Sequence, residues 1–344
     1  MNPPLKVLVD PAFRRMDEIF SDTDRALLTT GFDSHWLKDE PIPETAAAQI
    51  IPDADVVICS DWRYGDLLYH APRLKAIMTV SGGFPQALDY EYCHQQHIHV
   101  LSAAPAFGPQ VAEMALGMAI ASAREIVKAD RDFRAGTEQY LHRSNQHSFL
   151  LFDQPVGLVG FGGLASSLRP LLAPFRPRLQ VYDPWVSDRV ITGAGCRPVS
   201  LPQLLAENRF IFVLAVPSTD NAGMITRELL ERVRPDAVFL LVSRAHVVDF
   251  DALTDLVSAG RFRAAIDVFP EEPLALDHPI RQAEGAILSA HRAGSVPEGM
   301  WDIGSMVLDD LEALAMGMPP RRLQPALHEL IPKYTQPSAR RGRR

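Results

Sequence analysis

Cysteine is scarce and scattered. Cys59, Cys93 and Cys196 are odd in number and far apart, with no metal-ligand spacing. A disulfide framework and a thiolate metal site are therefore not expected, and a reducing, cytoplasmic setting is. An excess of basic residues is missing too. Against 42 Asp and Glu stand 34 Lys and Arg, a formal net charge of −8, which argues against nucleic acid or an anionic membrane as partner. The basic run Arg340–Arg344 follows Pro337 and Ser338 and reads as a solvated, disordered tail over 333–344. Long apolar runs are absent. The richest stretch, Val111–Val127, is interrupted by Glu113, Arg124 and Glu125, whereas a membrane span needs roughly 20 apolar residues. Met1–Asp10 has no basic region ahead of an apolar core, so no secretory leader is expected. Internal repeats are lacking as well.

What is present is an alternation of short apolar runs with helical patterns. Lys6–Val9, Asp55–Cys59, Lys75–Val80 and His97–Leu101 read as strands of one sheet. Val156–Gly160, Leu179–Tyr182, Phe210–Val216, Ala237–Val242, Ala264–Val268 and Ala286–Ser289 read as six strands of another. Continuous Val/Ile/Leu runs mark strands covered on both faces, and their alternation with helices predicts parallel sheets. The fold class is α/β. A helix over 109–129, starting after the turn-prone Pro105–Pro109, is expected to join the two sheets. Another, Pro297–Met316, should stop at Gly317 ahead of Pro319-Pro320.

The sharpest local motif is Gly160-Phe161-Gly162-Gly163-Leu164-Ala165, a G-x-G-x-x-A between an apolar strand and a helix running to Leu172. The first glycine permits a sharp turn, the second a close approach of backbone to a pyrophosphate, and the third small residue close helix–strand packing. The helix N-terminus adds unpaired amides and a favourable dipole. Alone the motif is weak, because glycine turns are common. Asp183, 23 residues after Gly160 at the end of the next strand, strengthens it: an acid there suits ribose hydroxyls and repels a 2′-phosphate, favouring NAD over NADP. The plainer account of Asp183 is a strand-end turn before Pro184. Arg189 leaves a route to NADP. Val216 and Pro217 at the end of the third strand of this half, and Ser243 after the fourth, complete the expected cofactor contacts.

Three later segments place charged residues just past strand ends, where open parallel sheets bind ligands. They are Ser243-Arg244-Ala245-His246-Val247-Val248-Asp249, Asp267-Val268-Phe269-Pro270-Glu271-Glu272-Pro273 and Ser289-Ala290-His291-Arg292-Ala293-Gly294. Singly, Arg244 is a surface arginine, Glu272 a solvated loop residue and His291 a strand-end histidine. Cys93–His99 is rich in metal-ligand types, but a helix end running into a strand accounts for it without a metal. Trp62, Arg63 and Trp301 read as packing or surface groups.

In order and spacing these segments resemble the D-isomer-specific 2-hydroxyacid dehydrogenases, over Lys6 to about Pro320. Arg244 with Val248-Asp249 matches that family's R-G-x-x-V-D, Asp267–Pro273 its D-V-F-x-x-E-P, and His291 with Gly294 its P-H-x-x-G. Val111-Ala112-Glu113 matches the opening of its interdomain helix, and Ser81-Gly82-Gly83 its carboxylate-holding loop. The resemblance implies a Rossmann NAD-binding domain, 104–292, inserted into a flavodoxin-like substrate domain made of 1–103 and 293–332. It implies a homodimer and a small 2-oxo or 2-hydroxy acid as substrate. His291 would exchange the proton of the reacting oxygen, Glu272 would orient it, and Arg244 would bind the carboxylate and polarise the carbonyl. Asp267 would work near the nicotinamide.

Several positions depart from the pattern. Ala165 replaces the third glycine, Ala245 follows the arginine where glycine is usual, and Arg292 follows the histidine. The strand ending Cys59-Ser60 lacks an arginine found there in relatives acting on phosphorylated acids, which argues against phosphoglycerate and leaves glyoxylate, hydroxypyruvate or a larger 2-oxo acid open. The same resemblance admits an NAD(H)-sensing protein like the C-terminal-binding corepressors, or a phosphite-type dehydrogenase.

Overall fold

The computed structural model describes residues 4–330 except Gln86, Pro217 and Thr219. The expected tail at 333–344 and the expected cofactor contact Pro217 lie outside the described residues. The chain divides into two compact units, one holding the residues up to Phe107 together with those from Gly294, the other Gly108–Ala293.

In the first unit five parallel strands, β1 (Lys6–Asp10), β2 (Asp33–Trp36), β3 (Val56–Cys59), β4 (Ala76–Thr79) and β5 (His99–Ser102), pair in the order β2-β1-β3-β4-β5. Alternate residues of each strand feed two cores. Val7, Val9, Val56 and Ile58 meet Ile303, Val307 and Leu311 of the helix Pro297–Ala315 on one face. Leu8, Val57 and Ile77 meet Ile42, Ile51 and Leu68 on the other. Both faces are covered, so the strands read as unbroken apolar runs. β2 was not legible as a strand: its sequence, Asp-Ser-His-Trp, is polar and no residue of it is buried, since it lies at the sheet edge.

The second unit carries β6 (Pro155–Val159), β7 (Arg178–Tyr182), β8 (Arg197–Pro198), β9 (Phe210–Val213), β10 (Val238–Leu241), β11 (Arg263–Ile266) and β12 (Ala286–Leu288). They form one parallel sheet ordered β8-β7-β6-β9-β10-β11-β12. This is the doubly wound dinucleotide-binding order with an added edge strand. A final two-residue strand, β13 (Gln324–Pro325), runs antiparallel to β5 in the first unit, where buried Asp310 accepts the amides of Arg321, Arg322 and Leu323 just before it. β8 and β13 are too short to leave a sequence pattern.

The long helix begins earlier than its prolines suggested. It spans Ala104–Ala123 with Pro109 inside it. It stops where Glu125 adopts a left-handed backbone, and Ile126–Ala135 forms a separate helix. Among the described residues no helix is long and apolar enough to cross a membrane.

Candidate active site

All the parallel strands of the second unit point one way, so the loops after β6, β7, β9, β10, β11 and β12 gather at one sheet edge. After β6 the chain must turn within two residues of β9's end. Gly160 does so at φ 100°, and a Cβ there would lie 2.7 Å from the Ala215 backbone nitrogen. Only glycine meets both demands. Gly162 caps the helix Gly163–Leu172, with no side chain satisfying the first amides. Both Gly162 and Gly163 are exposed, with open space beside their Cα atoms. Ala165 is buried in the helix–strand contact. Phe161 and Leu164 are half-buried on either side of the turn.

Asp183, just past β7, is tied to the same turn. One carboxylate oxygen accepts the Phe161 amide at 2.7 Å and the other the Trp185 amide at 2.8 Å. Bare amides, a cradle without Cβ atoms and an adjoining carboxylate fit the phosphates and ribose of a dinucleotide. Val216, beyond β9, is 54% exposed at that edge. Ser243, beyond β10, is buried with its hydroxyl unmatched by any partner among the described residues, and so is the Ser289 hydroxyl beyond β12. Ser289 was not singled out from the sequence, where nothing distinguishes it from a strand-end serine.

Arg244 is exposed in extended backbone, its Nη1 donating to the Ser243 carbonyl at 2.8 Å. Following it, His246 meets the Ser218 carbonyl at 3.2 Å and Asp249 caps the helix Phe250–Ser258 by accepting the Ala252 amide. The first of these bonds ties the loop after β10 to the loop after β9.

The loops after β11 and β12 bring His291 and Glu272 together. His291 Nδ1 and Glu272 Oε2 are 2.7 Å apart, and Glu272 Oε1 accepts the Phe269 amide at 3.1 Å. Glu272 is thus fixed by the backbone of its own loop before it fixes the imidazole. Each of the pair is 38% exposed, so the carboxylate acts chiefly as an orienting acceptor in a solvated setting. Asp267 stands just past β11. It is fully buried, and its two oxygens accept the Arg292 and Ala293 amides, each at 3.1 Å, while its carbonyl accepts the His291 amide at 2.7 Å. Its carboxylate is spent on the backbone that carries His291, which sits at φ 50°.

In the first unit, Ser81-Gly82-Gly83 follows β4. Hydroxyls hold its carbonyls: Thr79 and Ser81 donate to the Gly83 carbonyl at 2.9 and 3.2 Å, and Ser102 to that of Ser81 at 3.1 Å. Carbonyls held by the protein leave the amides to face an anion. At the ends of β1 and β3, Asp10 accepts Arg63 and Tyr64, and Arg63 also reaches the Ile42 carbonyl at 2.8 Å. Burial, and then the Asp10 carboxylate, push the Tyr64 phenol well above its usual range. Arg63 is therefore a charge-paired anchor. Trp62 is buried and donates to the Gly65 carbonyl, and Trp301 donates to the Asp17 carbonyl. Burial also pushes the thiols up, Cys93 to about 12 and Cys59 further. Among the described residues no His, Cys, Asp and Glu side chains are grouped to hold a metal.

Comparison with known proteins agrees with this geometry. Residues 116–293 match the family model "D-isomer specific 2-hydroxyacid dehydrogenase, NAD binding domain", which covers just over half of the chain. The crystal structure of a phosphoglycerate oxidoreductase from Rhizobium etli is 38% identical, with a TM-score of 0.83 over 94% of this chain and 99% of that one. The chain belongs to the D-isomer specific 2-hydroxyacid dehydrogenase family. It is 28% identical to D-3-phosphoglycerate dehydrogenase of Mycobacterium tuberculosis over 78% of its length, and it spans only half the length of that relative. It is 26% identical to glyoxylate/hydroxypyruvate reductase B of Pectobacterium atrosepticum over 88% of this chain and 92% of that one.

Proposed function

We propose that this protein is a cytoplasmic NAD-dependent oxidoreductase interconverting a small 2-oxo acid and its D-2-hydroxy acid. The observation that carries the reading is the 2.7 Å His291–Glu272 pair, standing at the same strand-end edge as Arg244 and the glycine cradle. Gly160–Leu164 and Asp183 would hold the dinucleotide, with Val216 and Ser243 bordering it. Asp183 favours NAD, since its carboxylate would repel a 2′-phosphate. When bound, the nicotinamide supplies or accepts a hydride at C2.

The side chains do the rest. Arg244 clamps the substrate carboxylate and polarises the reacting carbonyl, a task for a planar guanidinium. In reduction His291, protonated and held by Glu272, donates a proton from its other nitrogen to the oxygen gathering charge; in oxidation it takes that proton back. Asp267 positions His291 by fixing its backbone. On this reading the first unit is the substrate domain, and the Ser81–Gly83 amides receive the carboxylate. Glyoxylate and hydroxypyruvate are the first substrates to try, as the Pectobacterium relative's name suggests.

A homodimer is part of the proposal. The helix Ile126–Ala135 buries none of its residues, and Ile126, Phe133, Tyr140, Leu141 and Leu150 are 51, 62, 67, 85 and 56% exposed. So much apolar surface on one segment calls for a partner, and a second copy supplies one. Light scattering should give twice the chain mass.

The central test is NADH oxidation with a panel of 2-oxo acids, wild type beside His291→Gln. Turnover that falls at least about 100-fold in the variant supports the assignment. Tight NADH binding without turnover on any 2-oxo acid refutes it in favour of an NADH sensor. Equal efficiency with NADPH refutes the preference for NAD.

A further inference from the structure

The loops after β9 and β10 are built as one piece. In the first, Asn221 is buried and both ends of its amide are spent on backbone. Its Oδ1 accepts the Ser218 amide and its Nδ2 donates to the Val216 carbonyl, each at 2.8 Å. In the second, Arg244 leads into a single 3-10 turn, Ala245–Val247, with Ala245 and Val247 buried. Backbone then zips the two together. The Gly223 amide donates to the His246 carbonyl at 2.9 Å, the Ile225 amide to the Val247 carbonyl at 3.0 Å, and the Asp249 amide to the Ile225 carbonyl at 2.9 Å.

His246 adds a side-chain bond closer in sequence to the end of β9. Its Nε2 lies 3.2 Å from the Ser218 carbonyl. A carbonyl oxygen only accepts, so this nitrogen carries the hydrogen and donates. A short chain of contacts thus leads from Val216 to Arg244: through Asn221 to Ser218, from the Ser218 carbonyl to His246, and along the backbone to Arg244. Closely packed elements pass a shift on rather than absorb it. We propose that His246 is a positioning residue that makes the binding of NADH and of the 2-oxo acid cooperative. A dinucleotide resting against Val216 fixes the loop after β9, and His246 carries that placement to Arg244. The inference rests on the proposed function, in which Arg244 takes the substrate carboxylate. In this role the histidine touches neither ligand.

The test measures the NADH dissociation constant by fluorescence, with and without saturating oxamate, which sets a carboxylate beside a carbonyl but cannot be reduced. The ratio of the two values is the coupling factor, and linkage requires the same factor for oxamate with and without NADH. Wild type should give about 5- to 150-fold, the usual range for coupled sites. His246→Leu should lower the factor by about 3- to 10-fold, the worth of one hydrogen bond, or to unity. His246→Gln, whose amide nitrogen can reach the same carbonyl, should restore most of it. The backbone bonds between the loops survive either change; if leucine still prevents folding, His246→Asn, one methylene too short, takes its place. A coupling factor unchanged in His246→Leu overturns the inference even if both affinities measured singly have weakened, because a merely structural histidine gives that result. A factor of one in wild type, or a glutamine variant no better than leucine, overturns it as well. NADH oxidation with glyoxylate and hydroxypyruvate separates this outcome from the proposed function. Turnover with a coupling indifferent to His246 sinks the inference alone; His246-dependent coupling without turnover on any 2-oxo acid upholds it and refutes the dehydrogenase assignment instead.

Discussion

Replacing Asp267 by asparagine exchanges a single oxygen for nitrogen, yet it strikes a fully buried carboxylate with both oxygens in use. Both oxygens now accept backbone amides, of Arg292 and Ala293, at 3.1 Å in a fully buried place. Asparagine keeps one acceptor and turns an NH2 toward the other amide. One hydrogen bond to a charged acceptor is lost, about 1.5–3 kcal/mol, and a buried donor is left unsatisfied, about 1–3 kcal/mol more. A loss of about 3 kcal/mol is expected, large against the usual margin of about 5–15 kcal/mol. Because the same bonds fix the backbone of His291, the reduction rate should fall with it, while NADH affinity should stay within about twofold, the cradle being untouched. Urea unfolding followed by circular dichroism, an NADH fluorescence titration and steady-state rates give the three values. An unchanged unfolding midpoint together with a tenfold weaker NADH affinity would refute the reasoning, because Asp267 would then meet the cofactor rather than the loop.

Gly160→Ala should cost at least about 3 kcal/mol or prevent folding, since its Cβ would press on backbone that cannot yield. Gly162→Ala, with open space beside it, should unfold at nearly the wild-type urea midpoint yet bind NADH more weakly. Glu272→Gln should slow reduction, because the imidazole loses the carboxylate that orients it; a rate equal to wild type counts against the pairing. For Asp55, burial raises the carboxyl pKa, but the Lys6 amide, Arg73 and Lys75 outweigh it and hold it below the usual value. A lowered folded value means stability that is present above the unfolded carboxylate range and lost as pH falls through the folded value. Asp55→Asn should therefore destabilise at pH 7 and flatten the acid limb of unfolding below about pH 4. Identical acid limbs would show the ion pairs to be inert.

The parts of the fold that the sequence made legible are those whose cause is local. Strands such as Val56–Cys59 and Phe210–Val213 are buried on every residue, and a run of apolar side chains states that directly. Edge strands have no such signature, so Asp33–Trp36 could be found only through its partner β1. The helix start at Ala104 was hidden because Pro105 and Pro109 read as a turn, although the helix runs through both. At the candidate site, the glycine turn and the Glu272–His291 pair were readable because each chemistry demands particular residue types. The bonds of Asp267 were not. An acid past a strand end looks the same whether its carboxylate meets a ligand or two amides 25 and 26 residues away.

The division of the chain bears on how it is made. Gly108–Ala293 is one uninterrupted stretch with its own sheet and core, so a ribosome releases it complete. The other unit begins first and finishes later: Val7, Val9, Val56 and Ile58 line a core walled in part by Met16, Ile19, Phe20 and Leu28 and completed by Met300, Ile303, Val307, Leu311 and Leu314. Domains fold as units during synthesis. The earlier-made strands must therefore wait, one face only part-covered, while almost two hundred residues are translated and the intervening unit folds, and a nascent chain arrested before residue 300 should be the form that chaperones hold.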